Sequence, residues 1–211
     1  MLSYLNSCFK NFKYISFIFL YIFCFSISDQ ILANEQNKNL ENVYKLLQEK
    51  NFKDGLKELQ ILCEDNNIQA QLLFSKILFS GDLTPQDFEN SYFWSSSALL
   101  GGLKKSEIII EKLNNYLTED KIIKIKENLK VFLEKKALNR DKRAIIQIAK
   151  FYETFLEPAD FVNAYTWYSI AVAQGIKTAK TKRDELIKEL NEKDLLEAQT
   201  LSIKLFKQIN N

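Results

Sequence analysis

One pattern occurs twice in this chain with identical spacing, and it constrains the fold more than any other feature. Residues 85–102 and 158–175 both read P-x-D-F-x-N-x-Y-x-W, with an alanine four residues after the tryptophan and a glycine four residues after that. Nine positions are identical, although the 211 residues include only two prolines, two tryptophans and five glycines. A fixed period is typical of repeat architectures, in which each unit buries its apolar face by stacking on a neighbour.

Apolar residues recur at intervals of three and four along most of the chain, which is the spacing of one helix face. Residues 109–117 and 195–205 show this spacing clearly. No stretch shows sustained alternation bounded by hairpin turns. The sequence therefore predicts an all-α fold.

Helix starts can be placed at a nearly constant spacing along the sequence, with 33, 34, 39 and 34 residues between them. The residues assigned to these starts are Asn51, Thr84, Thr118, Glu157 and Asn191. Pro85 and Pro158 then occupy the first helical position, where a missing N–H costs nothing. Asp87 and Asp160 fall in the first turn, where an acidic group suits the positive end of the helix dipole.

Small residues mark the start of the other helix of each pair. They are Ala70, Ser106, Ala144 and Ala179, at intervals of 36, 38 and 35 residues. Together the two sets of marks predict five antiparallel helix pairs, at 38–65, 67–101, 104–136, 141–175 and 177–209. Only the second and fourth pairs carry the full motif, so the unit that is duplicated spans about two helix pairs.

The first 33 residues have the pattern of a secretory signal peptide. Lys10 and Lys13 precede an apolar run over residues 14–28, and Ala33 offers a small residue for cleavage. This predicts a periplasmic or secreted protein with a helical-repeat domain over residues 34–211. The alternative is an uncleaved segment that anchors the chain in the inner membrane, although the run is shorter than the roughly 20 residues of a spanning helix.

The composition excludes several classes of site. The chain has no histidine, which removes Ser-His and Cys-His catalysis and the commonest zinc ligand. After residue 33 only one cysteine remains, Cys63, and we expect it to be a buried, inert thiol. The net charge is +2, so nothing indicates a nucleic-acid binder. We predict no catalytic residue, no metal and no cofactor.

The motif resembles the Sel1-like repeat, a relative of the tetratricopeptide repeat. The matching positions of the stronger copy are Asp160, Ala164, Trp167, Ala171, Gly175 and Ala179, and those of the other are Asp87, Ser91, Trp94, Ala98, Gly102 and Ser106. The resemblance is specific over 70–106 and 144–179, and it implies a right-handed α-solenoid of helix pairs. The family's glycine-rich turn is reduced to Gly81 in one copy and replaced by residues 154–156 in the other.

Packing explains most of the motif without reference to a family. We expect each tryptophan to fill the space between helices, the alanine four residues later to permit close approach, and the glycine to end the helix in a left-handed conformation. The aspartates are interpreted as caps, because a carboxylate pair for acid–base chemistry would not sit at equivalent positions of separate units. The motif residues given this structural role are Pro85, Asp87, Tyr92, Trp94, Ala98, Gly102, Pro158, Asp160, Tyr165, Trp167, Ala171 and Gly175.

Two pairs of motif residues leave alternatives open. Tyr92 and Tyr165 suit either packing or a binding surface, and packing is favoured. Asn90 and Asn163 are predicted to bond to a neighbouring turn, with a ligand contact as the alternative.

Solenoids of this kind bind partners on a concave face lined by the first helix of each pair. The polar residues predicted to line it, here called the polar strip, are Gln69, Lys76, Arg143, Gln147 and Lys150. We expect a protein or peptide partner whose acidic groups bind Arg143 and Lys150.

The leading functional interpretation is a non-catalytic adaptor or scaffold of the bacterial cell envelope. One alternative is a hydrolase, because some disulfide-rich Sel1-like relatives are credited with β-lactam hydrolysis. This chain lacks their cysteines and has no S-x-x-K, S-D-N and K-T-G set. Another is a structural component tethered to the membrane by residues 1–33.

Overall fold

The computed structural model describes residues 39–210, and every regular element in that range is helical. The predicted signal peptide lies outside the described residues. In chain order the helices are α1 (39–48), α2 (Phe52–Glu64), α3 (Ile68–Ser80), α4 (Phe88–Leu100), α5 (Glu107–Leu113), α6 (Glu119–Leu138), α7 (Lys142–Lys150), α8 (Phe161–Ala173), α9 (Ala179–Leu186) and α10 (Glu192–Asn210).

The chain divides into two compact units, Met1–Leu62 and Cys63–Asn211. In the described part of the first unit, α1 and α2 approach closely at Gly55. A Cβ atom there would lie 2.8 Å from Cδ2 of Leu47, so a larger residue would require the Leu47 side chain to shift. Val43 and Leu59 are fully buried.

In the second unit the helices stack in sequence order, with α3 packed against α4 and α7 packed against α8. α5 and α6 each pack against α4, α6 also packs against α7, and α9 and α10 each pack against α8. One buried cluster runs from Leu129 and Leu133 through Ile145 and Ile148 to Trp167. The predicted all-α repeat fold is confirmed.

The prediction for the starts of α4 and α8 was wrong by three residues. Pro85 and Pro158 are not at the first helical position, because the helices begin at Phe88 and Phe161. Asp87 is itself the N-cap: its Oδ1 accepts from the N–H of Asn90 at 3.0 Å, and its Oδ2 accepts from Nδ2 of the same residue at 2.7 Å. Two hydrogen bonds between cap and third residue outweigh what Thr84 could supply as a cap.

The second copy repeats this capping geometry. Oδ1 and Oδ2 of Asp160 accept from the N–H and Nδ2 of Asn163 at 2.9 and 2.7 Å. The D-x-x-N part of the motif is therefore a capping motif in which the asparagine donates both hydrogen bonds and the aspartate accepts both. The capping role of both aspartates is confirmed, and each asparagine bonds to the cap of its own helix.

The C-terminal ends of α4 and α8 also match each other. Gly102 and Gly175 have positive φ angles of 103° and 85°. The N–H groups of Gly102 and Leu103 donate to the carbonyls of Leu99 and Ala98, at 2.8 and 3.0 Å. This is the Schellman pattern, and Gly175 with Ile176 repeats it.

The two copies differ in the turn that precedes the capping motif. α3 ends at Gly81, whose φ of 77° breaks the helix. The fourth pair has threonine at that position, and α7 continues as a π-helical turn, Phe151–Phe155. The backbone N–H of Asp160 consequently reaches the carbonyl of Tyr152, eight residues back, whereas that of Asp87 reaches Leu78, nine residues back.

The remaining motif residues are core residues, as predicted. Tyr92, Tyr165, Trp94 and Trp167 are buried, which confirms packing as their role. The rings of Phe93, Trp94 and Phe132 pack edge to face with centroids 4.8–5.7 Å apart. The alanines four residues after each tryptophan have no exposed surface.

Candidate functional site

The polar strip predicted on α3 and α7 is mostly occupied by contacts inside the second unit. Gln69 and Lys76 on α3 are exposed to solvent. Gln147 on α7 is fully buried, so it is not available to a partner, and its place in the strip was wrong. The face of α7 expected to meet water lies against α4 and the connection before α3.

Gln147 joins a buried polar network. Its Nε2 donates to the carbonyl of Ser97 at 2.9 Å, and its Oε1 accepts from Nδ2 of Asn66 at 2.7 Å. Asn66, in the left-handed conformation with a φ of 60°, also donates to Oδ2 of Asp141 at 2.9 Å. Its Oδ1 accepts from Nε2 of Gln71 at 3.1 Å. The network ties the connection before α3 to the start of α7.

Arg143 and Lys150 also bind backbone carbonyls. Nη1 of Arg143 donates to the carbonyl of Asn66 at 2.6 Å. Nζ of Lys150 donates to the carbonyl of Leu100 at 3.2 Å, and burial lowers the pKa of this amine. Both cations therefore donate hydrogen bonds to backbone carbonyls at or just beyond the C-terminal end of a helix. Their binding to acidic partner groups stays a prediction.

A second candidate surface lies where the α3–α4 and α5–α6 connections meet. The cleft between them, here called the turn groove, has a volume of about 500 Å³. It is lined by Leu78, Thr84, Pro85, Gln86, Asp87, Phe88, Glu89, Tyr116, Leu117 and Lys121. This volume falls in the range of roughly 300–1,000 Å³ that is usual for ligand clefts.

Aromatic rings form one wall of the turn groove. The rings of Phe88 and Tyr116 have centroids 4.8 Å apart, and Phe79 lies 5.8 Å from Phe88. Tyr116 is 62% exposed, the largest exposure among the exposed large hydrophobic residues in the described part of the chain. An exposed tyrosine held against a second ring presents a rigid apolar surface to a ligand.

Opposite charges lie at the rim of the turn groove. Nζ of Lys121 is 2.6 Å from Oε1 of Glu89, and both side chains are about half exposed. Exposed ion pairs contribute little to stability, so a partner that offers its own charges can replace either member at low cost. The groove thus combines an aromatic wall with an exchangeable charge of each sign.

The groove depends on residues that differ between the two copies of the repeat. At the period of 73 residues, Tyr116 corresponds to Glu189 and Lys121 to Asp194. Asp194 takes part in the cap of α10, where its N–H and Oδ2 bond to Asn191. The aromatic wall is therefore specific to the second and third pairs.

Tyr116 was not predicted as a binding residue. The tyrosines, tryptophans and alanines that the two copies share are buried. The signal for Tyr116 in the sequence is a large aromatic residue in a predicted turn, at a position where the other copy has a charged residue.

Residues 39–210 contain no group of histidine, cysteine, aspartate and glutamate side chains arranged to hold a metal ion. Cys63 is fully buried, and burial raises the pKa of its thiol, which keeps it protonated and unreactive. The prediction of a buried thiol is confirmed.

Comparison with known proteins adds one structural similarity. No protein-family model matches the chain, and no curated protein matches it. Its structure is similar to the crystal structure of c5321, a protective antigen present in uropathogenic Escherichia coli strains that displays an SLR fold. The identity is 17%, the TM-score is 0.36, and the match covers 74% of this chain and 41% of that one.

The present chain thus spans less than half the length of that antigen. SLR denotes the Sel1-like repeat, the family that the motif resembles. The helical-repeat fold of the present chain is established by its own stacked helix pairs and by the matching caps of α4 and α8. Within residues 39–210, no helix has both the length and the apolar character needed to cross a membrane.

Proposed function

We propose that this chain is a non-catalytic protein-interaction module that binds a segment of a partner protein in the turn groove. The observation that carries the proposal is the exposed ring of Tyr116 beside Phe88, in an open cleft whose rim offers Lys121 and Glu89. Tyrosine is enriched at the centres of protein interfaces because it buries a large rigid area at a small cost in conformational entropy.

The chemistry of the turn groove fits an extended peptide segment. Such a segment places an apolar or aromatic side chain on the Tyr116 ring, while a neighbouring acidic group takes the place of Glu89 at Lys121. Gln69 and Lys76, the exposed part of the polar strip, remain candidates for a further contact with the same or another partner.

Truncation of the aromatic wall tests this proposal. In co-purification from the native host, we expect Tyr116→Ala to weaken binding of the partner by about 30-fold. This factor corresponds to roughly 2 kcal/mol, as expected for an interface anchor. Tyr44→Ala is the matched control, since Tyr44 is an exposed tyrosine of α1, 47% accessible. Equal retention of partners by both variants would exclude the turn groove.

The non-catalytic part of the proposal has a separate test. A chromogenic β-lactam incubated with the purified chain should not be hydrolysed above the background rate. Turnover that scales with protein concentration would replace the adaptor proposal by the hydrolase alternative.

We further propose that the protein acts in the cell envelope. The support is the signal-peptide pattern of residues 1–33. N-terminal sequencing of the protein from its host should find Asn34 as the first residue. Retention of residues 1–33 would favour the membrane-tethered alternative.

A further inference from the structure

Helix α10 has two apolar faces, and only one of them packs inside the second unit. Ala198 and Ile209 on the inner face are buried, and α10 contacts α8. On the opposite face Leu196 and Ile203 are 58% and 60% exposed. The outer face of a surface helix is ordinarily polar, so these two residues need an explanation.

Leu196 and Ile203 lie between two charged residues on the same helix face. Glu192 stands four residues before Leu196, and Lys207 stands four residues after Ile203. At 3.6 residues per turn, all four side chains fall within a sector of roughly 60°. Among the described residues, neither Glu192 nor Lys207 has an ion-pair partner.

This face is complementary to itself when two copies run antiparallel. The midpoint between Gln199 and Thr200 lies halfway between Leu196 and Ile203, and also halfway between Glu192 and Lys207. A twofold axis through that midpoint therefore sets Leu196 against Ile203 of a second copy. It also sets Glu192 against the second copy's Lys207, and the reverse pair forms by symmetry.

We propose that the outer face of α10 binds a second copy of this chain, as an antiparallel helix pair with twofold symmetry. Parallel pairing would bring Glu192 against Glu192 and Lys207 against Lys207, so the charges select the antiparallel orientation. The contact is separate from the turn groove.

A small groove beside the face extends the apolar surface. It lies between α8 and α10, holds about 230 Å³, and is lined in part by Ile203, Phe206 and Ala173. Phe206 is 37% exposed. A side chain from the second copy can bury further apolar area there.

The contact is small for a dimer interface. A helix of 19 residues is about 28 Å long, and one helix from each copy buries less than the roughly 1,600 Å² of a standard stable interface. We therefore expect a dimer that dissociates on dilution, with a dissociation constant in the micromolar range.

Charge exchange provides the test. Sedimentation of the purified full chain from about 1 µM to about 1 mM should show a monomer–dimer equilibrium. Glu192→Lys and Lys207→Glu should each weaken the dimer about tenfold, because each variant turns two attractive pairs into repulsive ones. An equimolar mixture of the two variants should restore it, since every pair is then attractive.

The matched controls carry the same charge changes at positions of α10 outside the proposed dimer face. Glu197→Lys and Lys204→Glu are exposed residues of α10 on other sides of the helix, and both should dimerise like the original chain. Circular dichroism establishes that each variant is folded. A chain that stays monomeric to about 1 mM, variants whose mixture does not dimerise, or controls that weaken the dimer equally would each overturn the proposal.

Discussion

Nδ2 of Asn66 donates a hydrogen bond of 2.7 Å to Oε1 of Gln147, a residue 81 positions further along the chain, in a site with no access to water. Through this contact the connection before α3 is joined to α7. This contact explains why Gln147, which was predicted to bind a partner, has a structural role instead.

Loss of this network should destabilise the second unit. Asn66→Ala leaves Gln147 and Gln71 each with a buried polar atom lacking this partner, and it places alanine at a φ of 60°. We expect a loss of about 3 kcal/mol in the free energy of unfolding, measured by urea denaturation.

Two further variants separate the contributions. Asn66→Gly removes the same hydrogen bonds but accepts the positive φ, so it should be about 1 kcal/mol less destabilising than alanine. Gln69→Ala, at an exposed position of α3, should change stability by less than about 0.5 kcal/mol. If Asn66→Ala behaved like Gln69→Ala, the network would have no stabilising role.

Gly101 and Gly102 are neighbours that should resist substitution for different reasons. A Cβ at Gly101 would overlap Cγ2 of Ile68, although its φ of −70° is ordinary. A Cβ at Gly102 would meet nothing within 4 Å, but its φ of 103° is unfavourable for any other residue. Both alanine variants should therefore lose about 1–3 kcal/mol, by thermal or urea unfolding.

The two causes can be told apart by a second substitution. Ile68→Ala removes the atom that a Cβ at Gly101 would overlap, so the double variant with Gly101→Ala should be more stable than the sum of the single losses predicts. The double variant with Gly102→Ala should be additive. Equal coupling in both pairs would contradict this assignment of the two glycines.

Three buried tyrosines should make the fold sensitive to alkali. Burial raises the pKa values of Tyr92, Tyr152 and Tyr168, and the hydrogen bonds from the last two to Glu134 and Glu153 raise them further. In the unfolded chain these hydroxyls ionise near pH 10. The folded state then holds more protons, so stability is retained below about pH 10 and falls as the pH rises above it.

Spectrophotometric titration measures this effect. Of the nine tyrosines, these three should ionise only as circular dichroism reports unfolding. Tyr168→Phe should reduce the late absorbance change by one tyrosine. Ionisation of every tyrosine before any loss of helix would show that these hydroxyls are not held by the fold.

The repeat could be predicted from sequence because its signals are local. Asn191 with Asp194 forms the predicted cap, and Gly102 takes the predicted left-handed conformation, since both depend on residues a few positions away. The helix start near Pro85 was misplaced because the two hydrogen bonds that Asn90 donates to Asp87 give a better cap than Thr84.

The geometry of the candidate site could not be predicted, because it depends on distant parts of the chain. Buried Gln147 forms hydrogen bonds with Asn66 and Ser97, which are 81 and 50 residues away in the sequence. The turn groove requires the α3–α4 and α5–α6 connections to meet, and no local signal in the sequence predicts that meeting.

Photo-crosslinking at Tyr116 tests the central proposal most directly. With a benzoylphenylalanine placed at position 116 in the native host, we predict a covalent adduct to a different protein. The same probe at position 44, another exposed tyrosine, should give none. No adduct at 116, equal adducts at both positions, or an adduct only to a second copy of the chain would contradict a partner-binding role for the turn groove.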